Sequence, residues 1–209
     1  GTIATNLILS KANTFITDSN LTVHGDLSVI AKNTSKIDAT VNALTSTGAK
    51  AVGVTLAFNT IGWKSQNVLF ATLDALLGTG IGDSQAAEVK AFIQDTILAI
   101  SGAVTMIANS FAELIATVTN ETTSIASALV NATGKATSGV LASNMINTLA
   151  KAFLLFTLSP KIVTINGKLT ITAEDTSRII SSSKLVATSS TSNNLGASLV
   201  NQLGQTLMN

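Results

Sequence analysis

Cysteine is absent from the 209 residues, which excludes disulfides and thiolate metal sites. Tyrosine is absent too, and there is a single Trp, a single Pro and a single His. A lone imidazole with no thiol and no G-x-S-x-G elbow beside it leaves nucleophilic catalysis without its pair of groups. His24, next to Gly25, therefore reads as a surface corner. Charge is scarce as well: 11% of residues carry it, less than half the share in an ordinary domain. Arg178 is the only Arg, net charge is +1 and no basic block exists. Nucleic acid, which needs clustered Lys and Arg to displace counterions, is excluded as a partner. Long apolar runs are also missing. The stretch from Val89 to Val118 is broken by Lys90, Gln94, Asp95, Ser101, Gly102, Asn109 and Glu113, short of the roughly 20 apolar residues of a membrane-spanning helix.

The acidic residues form no recognisable pair. Glu174 and Asp175 are adjacent, so in a strand they point to opposite faces and cannot flank one glycosidic bond. They read as a solvated turn near Arg178. "GTGIG" (Gly78 to Gly82) lacks the Lys-Ser/Thr that completes a phosphate-binding loop. Acid-poor corners do not match calcium-binding rolls. The sequons at Asn20, Asn33, Asn120 and Asn131 are no more than chance supplies in a chain so rich in Asn, Ser and Thr. The expectation is a non-enzyme, with no catalytic residue, no cofactor and no metal ligand.

What is present is a repeat. Apolar residues make up 46% of the chain, too many for disorder, and Val, Ile and Thr favour strands. "GDLSVIAKNTSKI" (Gly25 to Ile37), "GAVTMIANSFAEL" (Gly102 to Leu114) and "GKLTITAEDTSRI" (Gly167 to Ile179) share one frame. Each begins with Gly. Aliphatic residues or Met follow at the second and fourth positions after it: Leu27 and Val29, Val104 and Met106, Leu169 and Ile171. Ala31, Ala108 and Ala173 hold the sixth, a charged residue the eleventh, and Ile37, Leu114 and Ile179 the twelfth. Upstream, "NTFITD", "KAFIQD" and "KAFLLF" align Phe15, Phe92 and Phe153, the third copy carrying about four extra residues around Pro160. Downstream, "GVTLAFN", "GVLASN" and "GASLVN" form a second shared block. The Gly-to-Gly periods are 77 and 65. Internal repetition of this kind is read before any local propensity, because it decides the fold.

Within each copy the apolar residues alternate with polar ones, which is the strand period. The expected fold is all-β: a parallel β-solenoid of about three ~65-residue units, over approximately 10–86, 87–150 and 151–209, in one segment spanning 1–209. With coils of roughly 20 residues, each unit would hold three. The heading Gly would take a positive φ at a corner, "KNTS" and "EDTS" would supply turns, and the small Ala31, Ala108 and Ala173 would sit at tight corners. The competing drawing makes residues 87–118 an amphipathic helix, but Gly102 lies inside it and its repeat partners are poor helices. Residues 65–85 have no counterpart in the other copies. Val68, Leu69, Leu73, Leu76 and Leu77 make one helical face there, with Ser65 at the N-cap and Gly78 as the stop. A short helical insertion near 66–77, anchored by Trp63, is expected on the flank.

These repeats, "GDLSVIAKNTSKIDATV", "GKLTITAEDTSRI" and "GVLASNM", resemble those of very large bacterial exoproteins with β-solenoid stalks, broadly similar to filamentous-haemagglutinin-like adhesins. The resemblance covers nearly the whole chain and transfers no catalytic residue. It implies a structural segment, an adhesin stalk or self-associating fibre, at the bacterial cell surface or outside the cell, cut from a longer chain. The implied partners are copies of itself or flanking repeats stacked end to end, with a glycan or cell-surface ligand as a further candidate. Phe111, Phe156 and Leu158 are more apolar than the type expects. Two alternatives compete with it: a carbohydrate-binding or carbohydrate-active β-helix, and a helical membrane-active protein.

Overall fold

The structure is a computed structural model, described over residues 1–62, 85–128, 133–157 and 159–193. Twelve strands make up its regular structure, with no helix among the described residues. The chain makes three passages. The first holds β1 (Thr2–Ile8), β2 (Lys11–Thr17), β3 (Asn20–Val23) and β4 (Leu27–Thr47). The second holds β5 (Lys50–Ile61), β6 (Ala87–Gln94), β7 (Ile97–Ile100) and β8 (Val104–Ala128). The third holds β9 (Lys135–Ile146), β10 (Thr148–Leu155), β11 (Val163–Ile165) and β12 (Leu169–Asn193). Strands of equal rank pair in parallel, giving sheet A (β1-β5-β9), sheet B (β2-β6-β10), sheet C (β3-β7-β11) and sheet D (β4-β8-β12). Over the described residues the chain thus visits A, B, C and D in the same order three times, and none of these sheets closes into a barrel.

Each repeat unit makes one passage, not three. The reason is strand length: β4 runs 21 residues, and β8 and β12 run 25 each. "KNTS" and "EDTS" do not turn. They continue the strand, because their inward side chains find partners across the interior. Asn33 Nδ2 donates to Ser10 Oγ at 2.8 Å, the Ser10 and Ser35 hydroxyls lie 2.9 Å apart, and Thr148 Oγ1 donates to Asp175 Oδ1 at 2.9 Å. Polar side chains that would otherwise favour a local turn are satisfied between sheets instead. The helical drawing of 87–118 fails for the same stretch, which forms β6, β7 and the first part of β8. The expected insertion near 66–77, with Trp63, Leu69, Leu73 and Leu76, lies outside the described residues.

Sheet D forms one long wall, and sheets A and B face it. Near its start, Val29, Ala31, Val104, Met106 and Ala108 pack on Val89, Ala91 and Ile93 of β6 and on Leu98 and Ile100 of β7. Further along, Ile37, Ala39, Leu114 and Ala116 meet Ile61 and Ala87, where A gives way to B. Val41 and Val118 then meet Ala57 of β5. Beyond that the interior turns polar. Asn120 Nδ2 donates to the Gly139 carbonyl at 2.8 Å, the Thr122 and Ser138 hydroxyls are 2.7 Å apart, and Ser124 Oγ donates to the Ala49 carbonyl at 2.8 Å. Small residues on both walls keep this interior thin. Ala31 and Ala108 are buried in mid-strand rather than at corners; a methyl group there lets the facing Ala91 approach.

The corners use different chemistry from that expected. Gly25, Gly102 and Gly167 do not take positive φ; the one described glycine that does is Gly62, at 65°. Their role is close stacking. Gly102 N donates to Gly25 O at 2.9 Å and Gly167 N to Gly102 O at 3.0 Å. A Cβ on Gly102 would lie 2.6 Å from the Gly25 carbonyl carbon, and one on Gly167 equally close to that of Gly102. The left-handed conformation falls instead to Asp18 and Asp95 (φ 48° and 49°), which turn the chain from B to C in successive passages; Asp tolerates that region better than most residues.

Candidate functional site

Regular pairing turns each repeated residue into a row across three strands. Leu27, Val104 and Leu169 form one row, Val29, Met106 and Ile171 the next, then Ala31, Ala108 and Ala173, and further on Ile37, Leu114 and Ile179. All these side chains alternate with outward ones, so they share the inner face. Gly25, Gly102 and Gly167 stand at the corner before them. The middle member of each row is fully buried, while Leu169, Ile171 and Ile179 on β12 stay close to half exposed.

Three other rows carry specific interactions. Phe15, Phe92 and Phe153 stack on the outside of sheet B, with ring centroids 5.4 and 5.0 Å apart and planes within 17° and 9°. Offset stacks of this spacing add about 0.5–1.5 kcal/mol per pair beyond burial. In sheet A, Asn6 Nδ2 donates to Asn59 Oδ1 and Asn59 Nδ2 to Asn144 Oδ1, both at 2.8 Å; Asn144 Nδ2 then reaches Ser181 Oγ at 2.9 Å. Asn59 is buried, so this chain satisfies an amide that would otherwise be costly.

The third row is ionic. Lys36, Glu113 and Arg178 sit side by side on the outer face of sheet D. Lys36 Nζ lies 3.0 Å from Glu113 Oε2, and the Arg178 guanidinium bonds Glu113 Oε1. The Glu113 side chain is shielded by its two neighbours, whereas both cations reach solvent. Hydrogen bonds from Lys36 and then Arg178 hold the Glu113 carboxyl below the usual carboxylate range. Two rungs along the same face, Lys32, Asn109 and Glu174 form a parallel row, with Asn109 Nδ2 donating to Glu174 Oε2 at 3.3 Å.

Sequence reading missed both charged rows and the first member of the amide row. The signal for the ionic row was the charged eleventh position of each copy, noted as a repeat mark rather than as a contact. For the amide row, "TIATNLI" pairs with "TLAFNTI", whereas the copy matched to it in the sequence, "GASLVN", lies outside the described residues.

Glu174 and Asp175 sit on opposite faces of β12 rather than in a turn, the first against Asn109 of the same sheet and the second against Thr148 of the facing wall. His24 is exposed at the bend after β3, beside a shallow open depression lined by Thr22, Ser101, Thr164 and Asn166. Among the described residues no three His, Asp or Glu side chains gather to hold a metal ion. Matched side chains of the described residues form rows across the three strands of each sheet. Among the described residues, the first-passage strand of every sheet lies at one side and the third-passage strand at the other. Comparison with protein-family models, with curated proteins and with solved structures finds no match for the chain.

Proposed function

We propose that the chain is a β-solenoid segment with a structural, non-catalytic role: a stalk or self-associating surface fibre of an extracellular repeat protein, of the kind filamentous-haemagglutinin-like exoproteins build. The observation that carries this reading is the threefold return through the same four sheets with like residues in register. Parallel sheets in compact domains are buried on both faces and read as continuous apolar runs. Sheet D is parallel, yet β8 alternates buried Val104, Met106 and Ala108 with partly exposed Thr105, Ile107 and Asn109. Winding explains that combination, since a coil has an inside and an outside.

Winding also suits a stalk. Each passage contacts only the next, so length is added without redesigning a core. Backbone hydrogen bonds run along the axis, and the side-chain rows reinforce them. An exterior assignment rests on the resemblance of the repeats to exoproteins. Electron microscopy of the purified protein tests the proposal, with far-ultraviolet circular dichroism on the same sample. Rods of constant width with a strand spectrum are expected. A helical spectrum would overturn it; compact particles with a strand spectrum would leave the winding and remove the fibre.

A further inference from the structure

We infer that copies of the chain stack head to tail, the third passage of one against the first passage of the next, in the register the passages already keep within the chain. This rests on the winding proposed above and adds the partner, its polarity and its register. Among the described residues, both sides of the stack end on strands that run in the same sense. Sheets A to D each present a first-passage strand on one side and a third-passage strand on the other, all parallel. The operation that carries the second passage onto the third therefore carries one copy onto the next. Such a contact is heterologous and does not close.

The side chains at the two edges match. Extending the pairing of β4, β8 and β12 by one strand sets Leu27 of the next copy against Leu169, and Ile37 against Ile179. That covers aliphatic groups now 43% and 47% exposed on β12. In sheet B the same step lays Phe15, itself 58% exposed, on Phe153, continuing the ring stack.

Charge supplies the direction. The row Lys32–Asn109–Glu174 is cationic at the first edge, neutral in the middle and anionic at the last. It is complete only when Glu174 meets Lys32 of another copy. One position opposes the junction: Arg178 would face Lys36. Each of those cations is already bonded to Glu113 of its own chain, and the chain tolerates such neighbours, since Lys90 pairs with Lys151 and Lys50 with Lys135 in register.

Lys32 and Glu174 are exposed, so exchanging their charges leaves the interior untouched. Sedimentation velocity at low salt is the readout, with circular dichroism on every sample. The unaltered chain should grow beyond dimers with concentration. Lys32→Glu and Glu174→Lys each put like charges at every junction and should weaken association about tenfold, from the energies of opposed cross-strand charges. An equimolar mixture of the two variants restores opposite charges at both kinds of junction and should regain assembly, as should the double variant. A chain that stays monomeric, stops at dimers, or associates equally well with either variant overturns the stacking. If the strand spectrum persists in that case, the winding stands without it; a lost strand spectrum overturns both.

Discussion

β8 and β12 are the same length and set like apolar residues side by side at Val104 and Leu169, Met106 and Ile171, and Leu114 and Ile179, yet these live in different environments. Leu114 of β8 is 0% exposed, while Ile179, its direct neighbour in the row, is 47% exposed. The other edge strand behaves differently again, for Ile37 of β4 is buried. Identity of side chain therefore does not set burial here; the number of flanking passages and the facing wall do. The third passage also has more polar inner positions, with Asp175, Ser177, Ser181 and Ser183 where β8 has Ser110, Ala112, Ala116 and Val118. A repeated core of this kind is strong in its middle and unequal at its ends.

The sharpest way to break that comparison is truncation within one row. Leu114→Ala should cost about 3 kcal/mol, since a buried Leu leaves a cavity the stacked walls cannot collapse. Ile179→Ala should cost about 1 kcal/mol, as roughly half of that side chain already meets water. Urea unfolding of both variants measures the difference, and equal losses would remove the distinction between middle and edge.

A smaller contrast lies in the glycine row. Gly102→Ala drives a methyl into the Gly25 backbone, which has no rotamer to give, and should lose about 2 kcal/mol. Gly25→Ala meets nothing within 4 Å and should stay within about 0.5 kcal/mol of the parent. Thermal melts of the pair would show whether close stacking, rather than backbone conformation, explains these glycines.

The gentlest test uses acid. Glu113 is ionised more easily in the folded chain than in the unfolded one, where its ordinary value is 4.5. Its contribution is therefore complete above that value and is lost as pH falls through the lower folded value. Stability measured at low salt should decline more steeply below about pH 4.5 in the parent than in Glu113→Gln. Added salt should narrow the gap, because Lys36 and Arg178 both reach solvent. Parallel curves would mean that the ionic row contributes nothing.

Part of this architecture was legible before any coordinates. Alternation around Leu27, Val104 and Leu169 specified strands, and the shared frame specified which of them lie side by side. What escaped was anything dependent on a partner far along the chain. Asn33 and Ser35 look like turn residues until Ser10 is seen across the interior. Gly102 looks like a conformational hinge until the Gly25 carbonyl is found against it. Lys36, Glu113 and Arg178 look like unrelated surface charges until the passages align.

By itself, then, the amino-acid sequence determined the strand period, the inward and outward faces and the threefold frame, because these follow from spacing between neighbouring residues. Tertiary structure alone decided how long each strand runs, which polar groups enter the interior, and which member of a row is buried. Those outcomes depend on what the opposite wall and the next passage present, and such contacts join residues 65 or 77 positions apart, beyond the reach of any local pattern.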